Sequence, residues 1–98
     1  MAKGLRWSTR AKRELYDILE FWKINNQSPS YSIKLLKRIN ESLSLIRENN
    51  YLGKRTSDAT VRITIVEHFL IYYEVLDTEI LVITIFDARR NPFSTSVK

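Results

Sequence analysis

Ninety-eight residues, 44% apolar and 28% charged, hold one hydrophobic core, so residues 1–98 are expected to form a single domain. With no cysteine and one histidine, His68, the chain excludes disulfides, thiolate nucleophiles and cysteine- or multi-histidine-held metal, and neither metal nor cofactor is expected. The net charge of +5 points to a polyanionic or acidic partner, and it sits in residues 1–53, with ten basic and five acidic side chains against six of each in residues 54–98.

No apolar run approaches the roughly 18 residues of a membrane span. The opening MAKGLRWSTR also lacks the apolar stretch of a secretion signal, so a cytoplasmic protein without a membrane partner is expected. Leu5-Arg6-Trp7 reads as an edge strand, and Ser8 or Thr9 offers an N-cap oxygen to the helix that follows. In that helix Ala11, Leu15, Ile18 and Trp22 recur at helical spacing, with Leu19 widening the stripe. Asn25-Asn26-Gln27 ends it. Ser28-Pro29 supplies an N-cap and an N1 proline for a second helix, whose Leu36, Ile39, Leu43 and Ile46 form an apolar seam. The short connection predicts a helical hairpin, with Lys34, Lys37 and Arg38 off the seam. Asn49-Asn50 closes the second helix, and Gly53 is suited to a positive φ in the turn beyond.

From Thr60 the period changes to two. Val61, Ile63 and Ile65 alternate with Arg62 and Thr64, predicting a half-buried strand from whose uncovered side Arg62 projects. Two further strands, Phe69 to Leu76 and Ile80 to Phe86, are joined by the short turn Asp77-Thr78-Glu79. The last, ILVITIF, is apolar at nearly every position, as a strand central in its sheet would be. Helices followed by strands give an α+β fold: an N-terminal helical hairpin packed on an antiparallel-rich sheet of about four strands.

Catalytic templates are missing: there is no Gly-rich phosphate loop, no HExxH and no GxSxG. What remains is basic. Lys54, Arg55, Arg62, Arg89 and Arg90 are candidate phosphate- or target-binding groups, because guanidinium forks grip phosphate bidentately. Composition alone favours reading them as scattered solvated charges, since sixteen basic side chains must go somewhere. His68 is the one side chain whose ordinary pKa suits proton transfer near neutrality, although a histidine in a turn is usually just a polar turn residue.

The order of these pieces carries a resemblance. A strand with RWS leads into TRAKRELYDILEFW, then a second helix, then VRITIVEHFLIYYEV and ILVITIFDARRNP. The aromatic strand ending Tyr73-Glu74-Val75, followed by an apolar strand and Asp87-Ala88-Arg89-Arg90-Asn91-Pro92, is the most diagnostic part. Over roughly residues 5–93 the chain resembles the RelE/ParE superfamily of bacterial toxins from type II toxin–antitoxin modules, which stabilise plasmids and inhibit growth.

The resemblance implies a toxin held inactive by a cognate antitoxin, with one of two targets. RelE-like members cut mRNA on the ribosome, whereas ParE-like members inhibit DNA gyrase. The cutting reaction uses cations and proton donors, each worth about 10²–10⁴-fold. Arg62 matches a basic RelE-type position and Arg89 the arginine after the last strand. Arg62, Arg89 and Arg90, with His68, are therefore the candidate catalytic residues. Thr64 and Leu70, however, stand where RelE-like enzymes carry cations, and Phe93 and Ser94 follow Arg90 where a tyrosine would be. The ParE-like branch is favoured, with a ribosome-dependent endonuclease as the alternative. A non-toxic basic module that binds an acidic or nucleic-acid partner is the further alternative, since an acidic antitoxin tail would also explain the charge.

Overall fold

The computed structural model describes residues 2–25 and 29–89. In chain order these form β1 (Gly4–Trp7), α1 (Thr9–Asn25), α2 (Ser30–Glu48), β2 (Lys54–Arg55), β3 (Val61–Val66), β4 (Phe69–Val75) and β5 (Glu79–Asp87). The strands make one sheet in the order β1-β5-β4-β3-β2, antiparallel except for β1, which runs parallel to β5. The fold is α+β as expected, with five strands rather than about four. The additional strand is the two-residue β2, too short to carry any hydrophobic period.

α1 starts where its cap predicts. Ser8 Oγ accepts the Ala11 N–H at 3.0 Å and donates to the Ile83 carbonyl at 2.9 Å, so one hydroxyl caps the helix and ties it to β5. Ala11 is fully buried, and Leu15, Ile18, Leu19 and Trp22 pack against the core. Beyond Trp7, β1 no longer pairs with β5, whose ladder with β4 also shifts register between Tyr72 and Tyr73. Glu14 fills this gap: its Oε1 accepts the Ile85 N–H at 3.1 Å and the Thr84 hydroxyl at 2.6 Å. At the other end of β1, the Arg6 guanidinium donates to Glu79 and holds that carboxyl below the usual range. The stability this adds is present above the ordinary carboxylate pKa and is lost as pH falls through the lowered value. Both groups are exposed, so the contribution is small.

α2 buries Ser32, Leu35, Ile39, Leu43 and Ile46, so the seam begins one residue earlier than expected. Of two adjacent leucines, Leu35 enters the core and Leu36 stays half-buried on the other side of the helix. Pro29 is the N-cap rather than the first helical residue, and Ser28 lies outside the described residues. The Ser32 hydroxyl donates to the Leu19 carbonyl at 2.7 Å, fixing α1 against α2.

Gly53 does not adopt a positive φ. Space, not conformation, demands glycine here: an added Cβ would lie 2.7 Å from the Ile63 carbonyl oxygen and 2.8 Å from Tyr73 Oη. Tyr73 is fully buried; its hydroxyl accepts the Gly53 N–H at 3.0 Å and donates to the Asn50 carbonyl at 2.9 Å. Burial raises its pKa above the ordinary phenol value.

Three substitutions test this packing. Leu35→Asp buries an unpartnered carboxylate and should cost about 3 kcal/mol or more, whereas Leu36→Asp should cost much less. Gly53→Ala should cost about 1–3 kcal/mol through overpacking. Urea unfolding curves of the three variants would check both, and equal loss at positions 35 and 36 would contradict the seam.

Candidate functional site

Strand alternation distinguishes two faces but not which of them is covered. β4 decides it here. Phe69, Ile71, Tyr73 and Val75 are buried under the helices, and Leu70, Tyr72 and Glu74 point the other way. Register then fixes β3: Arg62 pairs with Tyr73, Thr64 with Ile71 and Val66 with Phe69, so these three share the helix side. Arg62 thus does not project from the uncovered side. The apolar row Val61, Ile63 and Ile65 does, together with Leu70 and Tyr72 and, on β5, Phe86. Ile65 is 54% exposed, and the rings of Tyr72 and Phe86 stack with centroids 5.9 Å apart.

Arg62 has a local role. Its Nη1 donates to the Gly53 carbonyl at 3.1 Å and to Tyr51 O at 3.4 Å, and its guanidinium lies 4.8 Å from the centroid of the Tyr51 ring. Arg55 pairs with Arg62 across β2 and β3, and both line a cleft of about 170 Å³ with Thr56, Ser57, Asp58 and Ala59. Lys54 is the exposed neighbour of Arg55 on the sheet edge.

The other candidates lie at the opposite end of the sheet, where Phe69 pairs with Asp87. From Arg62 to Val66 the chain advances about 13 Å at the usual strand rise. His68 occupies the β3–β4 turn behind Glu67, which carries a positive φ of 57°. Its Nε2 is 3.5 Å from Asp87 Oδ2 and 2.9 Å from Arg89 Nη2. Asp87 is only 6% exposed, and its Oδ2 has no hydrogen-bond partner among the described residues; Oδ1 accepts the Arg89 N–H at 2.9 Å. Because guanidinium only donates, contact with Arg89 requires an unprotonated Nε2. A protonated Nε2 would instead face the free carboxylate oxygen.

Around this corner stand Trp22, whose ring centroid is 6.1 Å from that of His68, and Tyr31, 5.0 Å from Trp22. Burial, and then the nearby Glu67 charge, raise the Tyr31 pKa. Arg38 pairs with Glu67 beside it. The corner thus combines a proton acceptor, a buried carboxylate, a phenol and guanidinium groups. The expected basic set is split: Lys54, Arg55 and Arg62 lie at one end, Arg89 with His68 at the other, and Arg90 falls outside the described residues. Sequence reading missed Asp87 and Tyr31, because nothing in spacing brings residue 31 of a helix to the end of a strand. No group of three or more histidine, cysteine or acidic side chains among the described residues is placed to hold a metal ion.

Against known proteins, residues 5–92 match the model of the ParE toxin of the type II toxin–antitoxin system parDE. The chain belongs to the ParE toxin family. No curated protein matches it. Among solved structures, it is similar to a chain of the chromosomal ParDE toxin–antitoxin system from P. aeruginosa, with a TM-score of 0.72 and 21% identity. The match covers 88% of this chain and 96% of that one. Membership agrees with the sequence resemblance and with its ParE-like branch. No helix among the described residues of this ParE-family chain is long and apolar enough to cross a membrane.

Arg62 gives the site its stability test. Arg62→Ala should lower stability by about 1 kcal/mol, the usual worth of a partly desolvated cation–π contact with its hydrogen bonds. Thermal unfolding would check it; an unchanged midpoint would mean that Arg62 does not hold the turn at residues 50–53.

Proposed function

We propose that this ParE-family toxin arrests growth in the cytoplasm by binding DNA gyrase, until a cognate antitoxin covers it. The observation that carries the reading is the uncovered sheet face. Val61, Ile63, Ile65, Leu70, Tyr72 and Phe86 make that face apolar, whereas a surface that cuts RNA needs cations on it. Thr64, one of the positions at issue, lies on the helix side within 3.5 Å of Ser42 Oγ. Apolar and aromatic groups suit a protein partner, and the basic first half suits an acidic antitoxin segment. No cofactor enters this scheme.

Purified chain should slow gyrase supercoiling and leave ribosome-bound mRNA intact. Codon-periodic cleavage of mRNA, with supercoiling unaffected, would overturn the proposal.

The endonuclease reading has one observation in its favour, the corner of His68, Asp87, Arg89 and Tyr31. There His68 would take the proton of a ribose 2′-hydroxyl as its oxygen bonds to phosphorus, Arg89 would hold the phosphate, and the P–O5′ bond would break with the departing 5′-oxygen protonated by water. His68→Ala separates the readings, since it should abolish cleavage but leave gyrase inhibition within about threefold.

The sheet face has its own test. Ile65→Asp changes a side chain that is already 54% exposed, so melting should stay close to wild type. A charge in an apolar interface should weaken antitoxin binding about tenfold or more, measured by calorimetry. Unchanged affinity would exclude this face from the antitoxin contact.

A further inference from the structure

Opposite its buried stripe, α2 carries a row of four side chains at steps of four: Ile33, Lys37, Glu41 and Leu45. Such a row is a ridge on the helix surface, and from end to end it spans about 18 Å. Ile33 is 65% exposed and Leu45 61%, so each end of the row presents an aliphatic group to solvent. Lys37 and Glu41 are exposed, and neither forms an ion pair or hydrogen bond among the described residues. Their order, lysine before glutamate, is the weaker one for a pair within a helix. A groove runs beside the row, lined by Ile33, Leu36, Lys37, Asn40, Glu41 and Ser44.

Reversed, the row reads apolar, acidic, basic, apolar. It is therefore complementary to itself. An antiparallel copy sets Ile33 against the second copy's Leu45 and Lys37 against the second copy's Glu41, and a two-fold axis repeats both contacts. Rows of this type meet when helices cross at about −50°, with each ridge seated in the groove beside the other. We propose that the outer face of α2 is a homodimer interface, occupied by α2 of a second copy of this chain. This surface lies on the far side of the helical hairpin from the uncovered sheet face, so the proposal does not rest on the gyrase reading, which is argued from that sheet face. A single helix pair buries less than a standard interface, so the dimer is weak and forms with rising concentration. Its charge contacts are exposed, so added salt loosens it.

Sedimentation equilibrium of the full chain and its charge variants tests the proposal. Wild type should shift from monomer to dimer as concentration rises. Lys37→Glu places two glutamates face to face at both ends of the axis, and Glu41→Lys places two lysines there. Each variant alone should dissociate about tenfold or more readily than wild type. Mixed in equal amounts, the two variants should associate again, because glutamate at 37 and 41 in one copy then meets lysine at 37 and 41 in the other. Both positions are exposed, so melting curves should match wild type and show that lost association is not lost folding. A wild-type chain that stays monomeric overturns the proposal. So does a dimer that both single variants preserve, which would assign the association to another face. Failure of the mixture to associate would also reject the pairing of Lys37 with Glu41.

Discussion

The buried hydroxyl of Tyr73 joins the end of α2, the turn at Gly53 and β4 through one atom. Its ring fills the core under the helices, while its hydroxyl accepts a hydrogen bond from the Gly53 N–H and donates one to the Asn50 carbonyl. The exit from α2 is thereby fixed to the middle of β4. Asn50 reinforces it by donating its side-chain amide to the Ile46 carbonyl at 2.8 Å, closing the last helical turn. Gly53 must come close enough that no side chain fits, and its carbonyl is then positioned for Arg62. An apolar ring of the same size would fill the space but leave two backbone groups without partners.

Much of the fold was legible before any coordinates. Apolar positions in α1 coincide with the contacts made, Ser8 caps where a cap was expected, and the strand-rich second half forms the sheet. The two misplaced faces, in β3 and in α2, share a cause. Periodicity reports that faces exist, and only long-range pairing decides which one is covered. In β3 both faces carry plausible residues, so Val61, Ile63 and Ile65 look like core and Arg62 like surface until Tyr73 in the neighbouring strand fixes the register. The same ambiguity lies behind Leu35 and Leu36. β2 and the Glu14 contact to β5 left no trace in pattern at all, the first for want of length and the second because one carboxylate among eleven acidic residues carries no mark.

Of the candidate site, sequence identified His68 and Arg89 and located them on connected elements, but it grouped them with Arg62 and Arg55, which the sheet holds apart. The result is a molecule with separate surfaces of different character. One sheet face is apolar and aromatic, one corner is polar with a buried carboxylate, and the outer helix carries alternating chemistry. A small protein with several such surfaces can be bound by more than one partner at once, and loss of one contact need not release the others.

The parallel pairing of β1 with β5 bears on how the molecule is made. Gly4 to Trp7 pair with Glu79 to Val82, so both helices and the strands β2, β3 and β4 lie between the partners in the chain. Until those residues dock, β1 has no strand beside it, and Ser8 and Glu14 lack the β5 backbone they bond. Contacts this distant in sequence are slow to close, because the intervening chain must lose its freedom first. The helical hairpin and the β3–β4 hairpin can form earlier from local contacts, but the sheet is completed only when β5 enters between β1 and β4.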